Sequence, residues 1–251
     1  MHWHRQTPPP IPYEESGDGF PVLFVHGRLN DSRLWAPVAN LLSGRYRTIR
    51  CDMRPPGKPH SPSAADNAVK VLDLLNWLGL SRAHLISHGA GWSWAAGMAV
   101  QSPGRVMSLT VVDPVVPRTE QTNAIQEAWH LEMLLQWLSV SHGTSVRKPE
   151  HATALAAVVA QQTHARIADG EDPISAPAYG TEMPPLEGVR CPVLALVGQD
   201  ATAESKALVA SVFGQAHQFQ LCQVAGATRH CPVEAPRSVA DHLERFLATC
   251  R

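Results

Sequence analysis

His230 stands in the segment A-G-A-T-R-H-C-P-V-E-A-P, a turn-rich stretch after the last apolar run of the chain. An imidazole titrating near its ordinary value of about 6.5 can take a proton at neutral pH from water or from an acidic O–H or C–H. A basic histidine also needs an acid on its other nitrogen, to fix the tautomer and balance the charge that forms. Two aspartates compete for that place, and each follows an apolar run: Asp113 after M-S-L-T-V-V, and Asp200 after C-P-V-L-A-L-V-G-Q. A third group of candidates lies at Ser87–Gly91, S-H-G-A-G, where Ser87 and His88 precede two glycines. Five tryptophans, Trp35, Trp92, Trp94, Trp129 and Trp137, could line an aromatic pocket, although aromatic stripes more often serve packing.

Strands that end where these residues begin would position them. The apolar run Pro21–Gly27 reads as a buried strand of a parallel sheet, and Tyr46–Asp52 as the next. Helices are expected over Leu34–Leu42 and Ala65–Leu78, the second following a proline-rich loop. A strand over Ala83–Ser87, a helix over Trp92–Gln101 and a strand over Met107–Asp113 come next. Strand–helix alternation of this kind predicts an α/β fold with a doubly wound, mostly parallel sheet. The alternation breaks between Val115 and Leu186, where helical patterns over Gln121–Leu138 and Glu150–Ala168 have no clear strand between them. That stretch is expected to form a small helical cap, residues 116–186, inserted between core segments 1–115 and 187–251. The second core segment is expected to hold a strand over Cys191–Gly198, a helix over Glu204–Val212, a strand over His217–Val224 and a final helix over Ser238–Cys250.

Composition narrows the partners. A net charge of −1 over 251 residues gives no electrostatic footprint for nucleic acid or an anionic membrane. No apolar run approaches the roughly 20 residues needed to span a bilayer. The N-terminus shows no signal-peptide core, and five cysteines without metal-ligand spacing fit reduced thiols in a cytoplasm. A small-molecule substrate is therefore expected, with no metal and no cofactor.

In order and spacing these residues resemble the α/β-hydrolase superfamily over almost the whole chain. The matches are His26–Gly27 with Trp35 downstream, Asp52–Arg54, Ser87–Gly91, Pro103–Val106, the run ending in Asp113–Pro114, Pro192–Gly198 and Glu234–Pro236. In that superfamily the strand-to-helix turn carries G-x-S-x-G, with the serine at the corner. The distance to Pro103 sets Gly89, not Ser87, at the nucleophile position. The resemblance also sets His230 where the family's histidine faces that corner. Backbone N–H groups near Ala90 and Arg28 would form an oxyanion site that needs no side chain, and the Arg28 side chain could bind an anionic or carbonyl group. His88 falls where histidine is common in the family and would pack behind the site.

A closer similarity is to the cofactor-independent dioxygenases of the quinolone-cleaving group. It is carried by Ser87–His88, Asp113, Thr228–Pro232, Arg166–Ile167 and Ser175–Pro177. That similarity implies general-base chemistry by His230, oriented by Asp113 or Asp200, on a small aromatic or dicarbonyl-like substrate, with dioxygen as a possible second substrate. Cyclisation, C–C cleavage and attack of a His-activated water on an ester or lactone need the same parts. Two other readings stay open: a ligand-binding scaffold that lost its chemistry, and a conventional serine hydrolase working through Ser87.

Overall fold

The computed structural model describes residues 8–27, 31–53, 64–116, 184–216, 218–228 and 230–250. Elements are numbered here among those residues. They are β1 (Tyr13–Ser16), β2 (Phe20–Val25), α1 (Ala36–Leu42), β3 (Tyr46–Cys51), α2 (Ala64–Leu78), β4 (Ala83–His88), α3 (Trp92–Gln101) and β5 (Val106–Val112). After residues 117–183 come β6 (Val193–Gly198), α4 (Ala203–Phe213), β7 (Phe219–Val224), α5 (Cys231–Glu234) and α6 (Pro236–Thr249). The strands form one seven-stranded sheet in the order β1-β3-β2-β4-β5-β6-β7. Every neighbouring pair is parallel except β1 with β3.

Successive side chains of a strand point to opposite faces of its sheet. Leu23, Val25, Leu85, Val111, Val193 and Ala195 accordingly join one core with α2, α3 and α4. Their neighbours Val22, Phe24, Ile86, Val112, Leu194 and Leu196 join the other core, with α1 and α6. Both faces of the sheet are covered by helices, which is why the central strands read as unbroken apolar runs. The structure thus has the expected doubly wound α/β architecture.

Element bounds shift in a few places for local reasons. The strand expected to reach Gly27 stops at Val25, because His26 turns its ring onto the following loop. The strand expected from Cys191 begins at Val193, after Pro192, which has no N–H to give to a ladder. The helix expected from Leu34 opens as a 3-10 turn over Ser32–Trp35, where Asp31 caps the Arg33 N–H, before α1 begins at Ala36–Pro37. The sequence pattern gave no sign of β1, whose residues Y-E-E-S are mostly exposed. The cap expected over 116–186 lies almost entirely outside the described residues. No described helix is long and apolar enough to cross a membrane.

The strand order reverses direction between β2 and β4: β3 lies on one side of β2, while β4 and the later strands lie on the other. Such a switch point opens a crevice beyond the carboxyl ends of the strands, where ligands of open α/β sheets bind. His26–Gly27 leave β2 there and His88–Gly89 leave β4. Asp113, Asp200 and the segment leading to His230 leave β5, β6 and β7 along the same rim.

Candidate active site at the carboxyl rim

The strand-to-helix turn has its corner at Gly89. Its φ is +56°, in the left-handed region that side-chain-bearing residues avoid. Among the described residues space is not what demands a glycine here, since an added Cβ would meet only the Gly27 Cα, at 3.9 Å. The flanking glycines differ. At Gly27 a Cβ would lie 2.9 Å from the His88 carbonyl oxygen, and at Gly91 one would lie 2.5 Å from the His26 carbonyl oxygen. The two loops are therefore packed backbone to backbone on either side of the buried corner.

Ser87 is not at this corner. It is the penultimate residue of β4, fully buried, in register with Val25 and Val111. Its Oγ donates to the Thr110 carbonyl oxygen at 3.2 Å. The Ser87 side chain is thus held inside the sheet, two residues before the corner.

His88 ends β4 and Asp113 follows β5, the neighbouring strand, so the sheet register brings them together. His88 Nε2 lies 3.7 Å from Asp113 Oδ2, with the two side chains 6% and 11% exposed. The His230 ring stacks on that of His88, with centroids 5.9 Å apart and planes inclined by 23°. Trp35 meets His88 edge-on at 6.3 Å. His88, expected to pack behind the site, contacts both Asp113 and His230.

Asp113 is held by the start of α5. The Cys231 N–H donates to Oδ2 at 3.1 Å, and the Cys231 thiol donates to Oδ1 at 3.2 Å. Burial raises the Asp113 carboxyl to about 7; the bonds from Cys231 and from the Gly198 N–H oppose that rise, and Glu234 adds to it. Burial also pushes the Cys231 thiol upward, and the adjacent Asp113 charge adds to the effect. Asp113 itself adopts φ +47°, a left-handed conformation that aspartate tolerates better than most residues. Asp200 is exposed in the turn after β6, so of the two candidate acids the structure sets Asp113 beside His88.

Glu234 fixes the approach to His230. Its carboxylate accepts from the Thr228 N–H at 2.5 Å and from the Thr228 hydroxyl at 2.9 Å. From the other side, a Cβ at Gly198 would collide with the Thr228 carbonyl, so the glycine that ends β6 lets this loop close onto the sheet. The sequence reading quoted Glu234 and Gly198 as family matches but gave neither a task. The clamp could have been suspected from a threonine and a glutamate flanking a short Pro-containing helix start. Cys231 as a donor to Asp113 had no sequence signal.

A second histidine–aspartate contact lies across the crevice. The Met53 N–H donates to His26 Nε2 at 3.0 Å, His26 Nδ1–H donates to the Gly27 carbonyl at 2.7 Å, and Asp52 Oδ1 lies 3.2 Å from Nε2. Of the tryptophans, Trp92 is buried against Phe213, with ring centroids 5.1 Å apart, and its indole N–H donates to the Val115 carbonyl at 2.7 Å. Trp35 is buried between Phe24 and His88. Ala90, whose N–H is the candidate oxyanion donor, is half-buried. Arg28, Arg54, Trp129, Trp137, Arg166–Ile167 and Ser175–Pro177 lie outside the described residues. Among the described residues no three His, Cys, Asp or Glu side chains gather as a metal site.

Known proteins share this fold. A thermophilic esterase from Thermogutta terrifontis superposes with a TM-score of 0.74 at 21% identity, covering 96% of this chain and 93% of that one. The chain is 30% identical over 133 residues to a fluoroacetate dehalogenase of a Burkholderia species, covering 48% of this chain and 44% of that protein. It is 30% identical over 114 residues to the (E)-2-((N-methylformamido)methylene)succinate hydrolase of Acinetobacter baylyi, covering 43% and 42%. The matches thus span less than half the length of these two curated relatives. Residues 22–242, from the second strand of the sheet into the last helix, match the alpha/beta hydrolase family. The chain belongs to that family.

Proposed function

We propose that this chain is a hydrolytic enzyme that works without an acyl-enzyme. In this reading His230 takes a proton from a water molecule, and the hydroxide formed attacks the carbonyl of a small activated ester, lactone or related acyl compound held over Gly89. The oxyanion develops against backbone N–H groups at the Ala90 corner, and the protonated His230 then returns its proton to the leaving group. The observation that carries the reading is the corner itself. Gly89 keeps the left-handed φ of a nucleophile elbow, has no side chain to be acylated, and directly follows His88, which contacts both Asp113 and His230.

The named relatives are a hydrolase, a dehalogenase and an esterase, which weights the proposal toward hydrolysis rather than oxygenation. Cofactor-free oxygenation would use the same base, so the test carries arms with and without dioxygen. A ligand-binding scaffold is the second reading. What favours it is that Asp113 is tied to the Cys231 N–H and thiol.

The deciding experiment is turnover of a panel of aryl esters, lactones and hydroxylated heteroaromatics by the wild type and His230→Ala, in air and under nitrogen. Hydrolysis that ignores dioxygen and falls about 100- to 10,000-fold in the variant is expected. Labelling of the wild type by a fluorophosphonate, or turnover unchanged in His230→Ala, would overturn the base mechanism. Ligand binding without any turnover would favour the scaffold.

A further inference from the structure

Two imidazoles stacked 5.9 Å apart in a largely buried site do not both accept a proton at the same pH, because the second cation meets the first through little water. Their surroundings are not equivalent. His88 Nε2 lies 3.7 Å from the Asp113 carboxylate, and His88 is the more deeply buried, with Trp35 edge-on against it. His230 is half-buried, at the entry to α5. We propose that His88 and His230 share a single proton, that Asp113 fixes it on His88, and that His230 is thereby kept neutral and able to accept the proton of a substrate water.

His88 is thus a positioning residue, acting on the reaction only through His230, and the inference rests on the proposed role of His230 as base. Among the described residues, these titratable groups lie on the elements around the pair. Asp113 comes from the end of β5 and is the near anion. Cys231 and Glu234 come from α5: the first donates its thiol to Asp113, and the second is held by Thr228. His26 comes from the end of β2, with both ring nitrogens in contact with backbone. Burial raises the Asp113 carboxyl even against the bonds from Cys231 and Gly198, as befits an acid short of countercharge; a protonated His88 supplies that charge. Because Asp113 and His88 are this close, their titrations are coupled, and the proton lost near neutrality belongs to the pair.

The test is a titration of the full chain carrying ring-¹³C histidine, with His88 and His230 assigned through His88→Gln and His230→Gln. In the wild type His88 is expected to take its proton at the higher pH and His230 only at a lower one. Removing the neighbouring charge by His88→Gln is expected to move the His230 midpoint up by roughly one to two pH units, the size of a single charge at this separation. Asp113→Asn keeps a residue type that accepts the left-handed backbone, so it guards against a His88 variant that fails to fold. In Asp113→Asn the His88 midpoint is expected to fall and that of His230 to rise. A His230 midpoint unmoved in every variant that folds, or a His88 that stays neutral throughout the range in wild type, would overturn the proposal. The titration needs no turnover, so loss of the base mechanism and loss of the coupled pair are read separately.

Discussion

The two histidine–aspartate contacts at the rim occupy opposite sides of the same crevice and are built differently. His26 is closed on both nitrogens: the Met53 N–H donates to one, and the other donates to Gly27. Its aspartate, Asp52, is 30% exposed and keeps contact with water. At His88 the aspartate is the buried partner, its carboxylate is spanned by the Cys231 N–H and thiol, and the histidine stands 3.7 Å away against a second imidazole. A ring fixed by backbone on both sides is part of the loop it holds. A ring in contact with a buried carboxylate and another ring can change its charge. Contact distance alone would have ranked the pairs the other way, since 3.2 Å at His26 is the shorter.

The largest effect expected is on stability at the closed pair. His26→Ala strips two backbone groups of their partner in a fully buried loop and should cost about 2–4 kcal/mol in urea unfolding, whatever the pH. The open pair is told apart by pH. A proton held on Asp113 itself, whose carboxyl burial raises to about 7, would give stability that is fully present below the unfolded value near 4 and lost as pH rises through about 7. A proton held on His88 beside an ionised Asp113, as inferred above, leaves little slope over that range, because an unfolded histidine also keeps its proton to about 6.5. Unfolding at several pH values should therefore give a nearly flat profile between about pH 4 and 6; a steep loss there, abolished in Asp113→Asn, would put the proton on Asp113. A slope that persists in this variant would assign it to another group.

Smaller changes test whether the cluster retains catalytic geometry. Gly89→Ser should cost about 1–2 kcal/mol for a side chain in the left-handed region, with no clash. It should also gain labelling by a fluorophosphonate that leaves the wild type untouched; a folded variant that stays unlabelled would show that His230 does not reach the corner. Glu234→Gln replaces the carboxylate that holds Thr228 and should cost about 1 kcal/mol, with a larger loss in turnover number than in KM. Ser87→Ala gives up a single bond to the Thr110 carbonyl and should stay within about 1 kcal/mol with turnover unchanged. Lost activity there would return Ser87 to the chemistry.

What the sequence revealed follows from which interactions are local. Apolar runs such as 107–112 and 193–198 announced themselves because both faces of the sheet are covered, and the family resemblance, through the distance to Pro103, pointed to a corner at Gly89, where the backbone is left-handed. The proximity of His88 and Asp113 was in principle readable, since each ends a strand and the two strands are consecutive. Treating His88 as family packing hid it. The Cys231 thiol and the Glu234 clamp depend on how the loop after β7 closes over β6, a tertiary fact with no periodicity to expose it. β1 escaped because a strand that is mostly exposed carries no apolar alternation.

That first strand also decides how the sheet meets other molecules. A border strand offers unpaired backbone groups to any extended chain that drifts against it. β1 is four residues long and carries Glu14 and Glu15, each tied to an arginine of β3: Arg50 at 2.7 Å and Arg47 at 2.8 Å. A second sheet arriving there must displace charge before it can gain a ladder. The opposite border, β7, presents the neutral amides Gln220 and Gln223 and no charge of its own. Of the two borders it is the less guarded, and crowding or partial unfolding would first put self-association at risk there.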